Sequence, residues 1–292
     1  MAQARRALPH PAARAVHLVG QAHRPKDQYE ALLHAAEIIA STLTLTSAAL
    51  VRAELESPVT GPGLPRDKAE RQLSTLRNAY LKTGPTFGTW TNWLGALNEL
   101  LSSSPALMPG LLDSLLPSEG DGGLHAHLLA LKNERNQASH GSKPRIQEEA
   151  ALRIEESADH FNRLLSGSRC LGDMPWLLTL SSAYRSRDHT FEVTANRVMG
   201  NNPDFERSTH VFSAPTADRT MYVLTPRGPV SLSPFVASRF CHRCLQYEVC
   251  HTCRLDKETE EVLLKSFASG HEIRDGELAE EVRALPEGRK GK

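Results

Sequence analysis

Residues 27–50, DQYEALLHAAEIIASTLTLTSAAL, determine the fold class expected for the N-terminal half. Asp27 followed three residues later by Glu30 resembles a helix-capping pair, so this segment predicts the start of a long helix. Its large apolar residues then recur at helical spacing, which places them on one face of that helix. An apolar face with this many large residues must be shielded from water, so we expect further helices to pack against it. Its members are Tyr29, Leu32, Leu33, Ala36, Ile39, Leu43 and Leu50.

Helical spacing returns in the segments that follow, and residues 27–168 are therefore predicted to form an up-and-down helical bundle. Residues 1–26 carry five basic side chains and no acidic one. Such a segment is typical of a transit peptide, a nucleic-acid-binding arm or a disordered extension. Because no amphipathic pattern is sustained there, we expect a disordered basic extension. The predicted helices after the first lie at 67–80, 87–101, 105–117, 124–135 and 146–165.

The sequence changes character after about residue 170, where short β-branched or aromatic runs alternate with turn residues. We interpret residues 169–270 as a small α+β region with an antiparallel sheet and a last helix at 256–268. Residues 271–292 are expected to be a mobile charged tail. The expected fold class is therefore α+β, an all-α bundle followed by a small antiparallel β region. The predicted strands lie at 176–184, 190–198, 209–213 and 221–225.

Composition limits the classes of function. Lys+Arg and Asp+Glu both total 34 and the sequence pI is about 7.2, so the chain lacks the broad positive charge of a typical nucleic-acid binder. Any contact with RNA must come from a local site. No uninterrupted apolar run is long enough to predict a membrane span or a secretory signal. Four of the five cysteines fall within Cys241–Cys253, which favours a metal site over dispersed disulfides and predicts a reducing cytoplasm.

The run Arg135–His140, RNQASH, carries side chains suited to phosphodiester chemistry. RNA supplies its own nucleophile, the 2′-OH, so a protein needs only a general acid or base and a fixed positive charge. Histidine suits the first role because it titrates near neutrality, and arginine suits the second because it binds phosphate oxygens without losing its proton. Asn136 could orient the phosphate or the histidine by hydrogen bonding. In a regular helix Arg135 and His140 would point about 140° apart, so either the helix ends between them or two chains share one cleft.

The pattern Arg135-Asn136-x3-His140, late in an all-helical domain, resembles the HEPN superfamily over about residues 27–166. The resemblance implies a metal-independent endoribonuclease whose catalytic residues are Arg135, Asn136 and His140. It also implies a homodimer in which two such motifs meet in one cleft, acting on RNA as a toxin or anti-phage effector. Such an enzyme needs restraint by a regulatory or antitoxin partner, and the C-terminal region is the natural place for it to dock.

Other interpretations of the same residues stay open. Arg135 can be a solvated cation at a helix end and His140 a capping residue, since both favour the helix dipole. The bundle would then be a non-catalytic dimerisation or RNA-binding module. A zinc-dependent nucleic-acid-binding regulator is a third interpretation, which the neutral net charge disfavours. Glu37 could reach a cleft from the first long helix, but a solvated face is the expectation.

Two CxxC pairs, Cys241 with Cys244 and Cys250 with Cys253, predict a structural zinc ion bound by four thiolates. Only five residues, Leu245–Val249, separate the pairs, so the chain must reverse tightly. The alternatives are a reduced thiol cluster, a redox-labile pair, or a metal shared between chains. The neighbouring histidines His242 and His251 are alternative ligands, and Cys170 is expected to be a buried core thiol.

Overall fold

The computed structural model describes residues 1–57, 64–118 and 121–288. Helices fill the N-terminal part and antiparallel sheets the C-terminal part, which confirms the α+β class. The helices are α1 (Ala4–Ala7), α2 (His10–Gln21), α3 (Pro25–Glu56), α4 (Arg66–Tyr80), α5 (Phe87–Ser103), α6 (Leu111–Leu115), α7 (Gly123–Ser139), α8 (Gln147–Gly167) and α9 (Leu278–Ala284). The strands are β1 (Trp176–Arg185), β2 (Thr190–Arg197), β3 (Glu206–Phe212), β4 (Met221–Thr225), β5 (Gly228–Ser231), β6 (Val236–Cys241), β7 (Gln246–Leu255), β8 (Val262–Ser266) and β9 (Glu272–Asp275).

Helix α3 is the centre of the fold and packs against α2, α4, α5, α7 and α8. It begins at Pro25, two residues before the predicted cap, because proline is favoured in the first turn. Most of its buried hydroxyls bond back to the helix itself, as Thr46 does to the Thr42 carbonyl at 2.8 Å. Thr44 instead donates to the Trp90 carbonyl in α5. By length and composition α3 could cross a membrane, but 78% of its most apolar window is buried within this protein. Such burial is what a core helix requires.

The N-terminal segment differs from the disordered extension predicted for residues 1–26. Helix α2 buries Ala12, Val16 and Val19 against the rest of the fold. Their spacing of four and then three residues is helical. The sequence therefore does contain an apolar helix face here, but the face is short and lies among basic side chains, so it was not recognised. His10 also bonds the Gly200 carbonyl at 2.8 Å, which ties this segment to the chain that follows β2.

The first sheet has the strand order β3-β2-β1-β4-β5, and the four strands predicted from residue 176 onwards are confirmed. A fifth strand, β5, which the sequence did not predict, begins at Gly228. The sheet is anchored to the bundle by Trp176, which is fully buried and whose Nε1 donates to Thr46 Oγ1 at 3.1 Å. The indole therefore buries its apolar body without leaving its N–H unpaired.

The second sheet, in the order β6-β7-β8-β9, corrects two predictions. The helix expected at 256–268 is a turn followed by β8, because a short apolar run such as Val262–Leu264 suits a buried strand as well as a helix. The charged tail expected at 271–292 contains β9 and α9, whose Leu278 and Val282 are buried. Residues 289–292 lie outside the described part of the chain.

Candidate functional site

The predicted motif lies at the C-terminal end of α7. The helix continues through Ser139, and His140 is its C-terminal cap with φ −100°. Gly141 takes φ +100°, and the Ser142 N–H donates to the Gln137 carbonyl at 3.1 Å, which closes the helix as a left-handed glycine does. The predicted break thus falls after His140, and Arg135 and His140 remain on one nearly regular helix.

Arg135 borders a cavity of about 500 Å³ between α3 and α7. Its guanidinium donates to Ser139 Oγ, and its Nε lies 3.9 Å from Glu37 Oε2. His140 is exposed and does not line this cavity, and Asn136 is also exposed. One chain therefore brings Arg135 to the cavity without His140. The lining residues are Tyr29, Glu30, Ala31, Leu33, His34, Arg135, Ala138, Ser139 and Lys143.

His34 and Glu37 lie one turn apart on α3 and both face Arg135. Glu37 is half-buried, not on the solvated face that the sequence favoured. Burial raises the pKa of Glu37, and the nearby Arg135 partly opposes that shift. Desolvation lowers the pKa of His34, and repulsion from Arg135, Lys265 and Arg14 lowers it further. The carboxylate of Glu37 is therefore surrounded by cationic side chains.

The sequence analysis did not identify His34, which lines the cavity, or Arg14 and Lys265, whose charges act on His34 from outside the lining. Arg14 of α2 also donates to the Ala268 carbonyl at 3.1 Å, just after β8, and Lys265 lies in β8 itself. Helical spacing could have paired His34 with Glu37. No sequence signal joins Lys265 to them, because only the packing of the second sheet brings it there.

A second group of reactive side chains lies in the second sheet. Cys241 ends β6, Cys244 lies in the turn to β7, and His271 directly precedes β9. His271 Nδ1 is 3.5 Å from Cys241 Sγ and 3.2 Å from Cys244 Sγ. All three candidate ligand atoms lie within 4.8 Å of one another, so this group could hold a metal ion.

Cys250 and Cys253, the second predicted pair, belong to no such group among the described residues. Cys250 is fully buried in β7, and burial raises its pKa to about 12. Cys253 packs on the turn after α4, where a Cβ added to Gly84 would lie 3.2 Å from its Sγ. The four-cysteine ligand set does not form among the described residues, because β7 continues through Cys250 and Cys253, with a register shift between Thr252 and Arg254, and does not turn back toward Cys241 and Cys244.

The two alternative histidine ligands also lie elsewhere. His251 is enclosed between the rings of Trp90 and Phe267, and burial lowers its pKa to about 4. It thereby attaches the second sheet to α5. His242 is exposed and packs edge-on against Phe240. The histidine that does approach the thiols, His271, is distant in sequence and has no motif of its own.

Comparison of the chain with protein-family models, with characterised proteins and with solved structures finds no match in any of the three. A function must therefore be argued from the chemistry of these two groups of residues.

Proposed function

We propose that this protein is an endoribonuclease of the HEPN type, which cleaves RNA by attack of the 2′-OH without a catalytic metal. The observation that carries the proposal is Arg135 on the wall of a cavity, paired with Glu37 and beside His34. The chain has no net charge, so a phosphate would have to be recognised locally, and Arg135 on the cavity wall offers a planar guanidinium for it. The resemblance at Arg135, Asn136 and His140 supports the same chemistry.

Arg135 is suited to bind the scissile phosphate. Its guanidinium donates to Ser139, which orients its fork before a ligand arrives. The 3.9 Å separation from Glu37 is long for an ion pair, and such partly exposed pairs are weak. A phosphate can therefore displace Glu37 at little energetic cost.

The proposed general acid or base, His140, is supplied by a second copy of the chain. His140 is exposed at the helix end and points outside the cavity of its own chain. The exposed apolar side chains Ile146 and Leu152 follow it on the surface, and exposed apolar residues near a functional site support an interface there. In a homodimer, His140 of one copy would then reach the Arg135 cleft of the other.

The test uses the purified full chain with tRNA and structured RNA, in buffer free of divalent ions. Wild type should produce fragments that end in cyclic phosphate. Arg135→Ala and His140→Ala should each lower the rate by about 10²-fold or more, as expected for a lost charge or general acid–base group. His23→Ala, an exposed histidine outside the cleft, is the matched control. Equal cleavage by wild type and both variants would contradict the proposal.

We also propose that the Cys241, Cys244 and His271 group holds a structural zinc ion. Two thiolates and an imidazole are ligands that zinc prefers, and its sites in proteins are tetrahedral. The side chains lie in two separate turns, so one ion would join the ends of both hairpins. We assign the ion a structural role because its ligands lie far along the chain from Arg135 and the proposed cleavage does not use a metal.

The zinc proposal supports a second candidate function, a non-catalytic module with an interaction surface. Leu245 and Tyr247 are large, exposed side chains directly beside Cys244, and a partner protein could cover them. Growth of bacteria that express wild type or His140→Ala discriminates the two functions. Toxicity that disappears in the variant supports the ribonuclease, whereas equal growth favours the interaction module.

A further inference from the structure

The turns at one end of the second sheet are built alike. The sheet is an antiparallel meander, so the β6–β7 turn and the β8–β9 turn lie at the same end. The first turn carries Cys241 and Cys244 and the second carries Ser266 and Ser269, each pair three residues apart. Cys241 Sγ accepts hydrogen bonds from the Arg243 and Cys244 backbone N–H groups.

Ser266 repeats this arrangement with a hydroxyl. Its Oγ accepts from the backbone N–H groups of Ala268 and Ser269, both at 3.1 Å. The second turn therefore has the shape of a CxxC turn, but it offers hydroxyls in place of two thiols. Neutral serine hydroxyls are poor zinc ligands beside thiolate, imidazole and carboxylate. His271 follows the second turn and supplies one donor, which leaves one coordination position to fill.

The carboxylate of Glu248 lies at the same end of the sheet. It is not part of the group of three whose ligand atoms lie within 4.8 Å of one another, so it would have to turn toward an ion that those three hold. Glu248 is only 5% exposed. Its Oε2 accepts from Ser269 Oγ at 2.6 Å, its Oε1 accepts from Gln246 Nε2 at 3.2 Å, and the Cys244 thiol also contacts it. The serine turn therefore holds the carboxylate beside the first thiol pair.

The carboxylate of Glu248 is held by hydrogen bonds and not by a cation. Arg239 is its partner across the strands, but that guanidinium is bound to Asp275 instead. No ion pair found in residues 1–57, 64–118 and 121–288 includes Glu248. Hydrogen bonds from Ser269 and Gln246 stabilise the buried charge, and a bound divalent ion would add the opposite charge that the site lacks.

We propose that Cys241, Cys244, His271 and Glu248 together bind one zinc-class divalent ion, with Cys250 and Cys253 outside its coordination sphere. Two thiolates, one imidazole nitrogen and one carboxylate oxygen complete a tetrahedral set. Ser269 and Gln246 orient the carboxylate, as outer-shell partners do in metal sites. Binding displaces the two thiol protons into solvent. This inference rests on the zinc proposed above and is independent of the ribonuclease.

The experiment is a titration of the full chain with cobalt(II), which reports on both affinity and ligand type through its visible and charge-transfer absorption. Wild type should bind one ion with the spectrum of a tetrahedral two-thiolate site. Cys244→Ser should abolish that spectrum. Glu248→Gln should weaken binding by about 10- to 100-fold and shift the visible bands, since an amide replaces a carboxylate in the sphere. Cys253→Ser is the matched control and should leave both unchanged.

The possible results distinguish the claim that the site binds a metal ion from the claim that Glu248 is its fourth ligand. If wild type binds no cobalt or zinc, the zinc proposal itself is overturned. If wild type binds but Glu248→Gln has the same affinity and spectrum, only the fourth ligand is overturned. Loss of the spectrum in Cys253→Ser would return that thiol to the ligand set. Should Glu248→Gln fail to fold by circular dichroism, Ser269→Ala removes only the orienting hydroxyl and should weaken binding to a smaller extent, whereas unchanged affinity would contradict the role of Glu248.

Discussion

The Arg135 cleft and the Cys241 turn are built on opposite principles. The cleft takes His34 from α3 and Arg135 from α7, and the charges of Arg14 in α2 and Lys265 in β8 act on His34 from outside the lining. The turn collects its thiols and histidine from two adjacent hairpins of one sheet. The first site therefore depends on how whole elements pack and, in the proposed dimer, on a second chain, whereas the second depends on one local sheet.

This difference separates the measurements that report on each site. A substitution at the proposed metal site should lower the stability of the second sheet more than it changes RNA cleavage. A change at the cleft should alter RNA binding or cleavage with little effect on stability, because exposed charges contribute little to folding. Lys265 is the exception, since it belongs to the second sheet and acts on the cleft.

The largest expected effect is loss of stability on metal removal. An ion that binds only the folded chain stabilises it by about 4 kcal/mol at a thousand times its dissociation constant. We therefore expect zinc depletion, or Cys244→Ser, to lower the free energy of unfolding by about that amount. Urea unfolding with and without added zinc measures it. Cys253→Ser should keep the zinc dependence of the unfolding curve. Identical wild-type curves with and without zinc would show that no metal ion stabilises the second sheet.

The next effect tests whether the cleft needs two chains. Arg135→Ala and His140→Ala should each be inactive, with losses of about 10²-fold or more. Mixed dimers of the two variants keep one intact Arg135 and one intact His140, so co-refolding should restore part of the cleavage rate. No recovery in mixed dimers, despite an active wild type, would show that both residues must come from the same chain.

Much of the fold could be predicted because its elements carry local patterns. The apolar stripes of α3, α5 and α8 follow from helical periodicity, and the strands β1 to β4 follow from β-branched or aromatic runs bounded by turn residues. The second sheet could not be predicted in the same way. The run at Val262–Leu264 fits helix and strand equally well. It forms a strand because it pairs with β7, and no pattern in the sequence indicates that pairing.

The sites divide in a similar manner. Cys241, Cys244 and Arg135 could be selected because each lies in a recognisable motif. Glu248 and His271 could not, since a single glutamate or histidine has no signal until two turns meet at one end of a sheet. Motif spacing alone was not sufficient, because Cys250 and Cys253 repeat the CxxC pattern but lie within one strand, outside the group that Cys241, Cys244 and His271 form.

A smaller effect is expected from the contribution of the second sheet to the cleft. If Lys265 contacts a phosphate, Lys265→Ala should weaken RNA binding by a similar factor for every sequence and reduce the slope of log affinity against log salt by about one. Fluorescence anisotropy with a non-cleavable 2′-deoxy-substituted oligonucleotide measures this slope. Lys257→Ala, an exposed lysine before β8, is the control. An unchanged slope would mean that Lys265 does not contact the RNA and that the binding site lies within the helical bundle alone.

The smallest effect concerns Glu37, which opposes phosphate binding but balances the charge of Arg135 in the free protein. Glu37→Gln should tighten binding of the same oligonucleotide by about two- to fivefold, since a partly exposed ion pair contributes up to about 1 kcal/mol. Glu155→Gln on α8 is a matched control, being an exposed acid away from the cleft. Weaker binding in Glu37→Gln would mean that the carboxylate positions Arg135 for its ligand.

The stability of the same variant should depend on pH with a definite sign. Because the pKa of Glu37 is raised in the folded chain, the folded state holds this proton more tightly than the unfolded state does. Wild type should therefore lose stability relative to Glu37→Gln as the pH rises from the ordinary value of 4.5 through the raised one, and the difference should then stay constant. Below pH 4.5 both states are protonated and the difference should be at its minimum. A difference of the opposite sign in urea unfolding at matched pH values would show that the pairing with Arg135 outweighs the burial of Glu37.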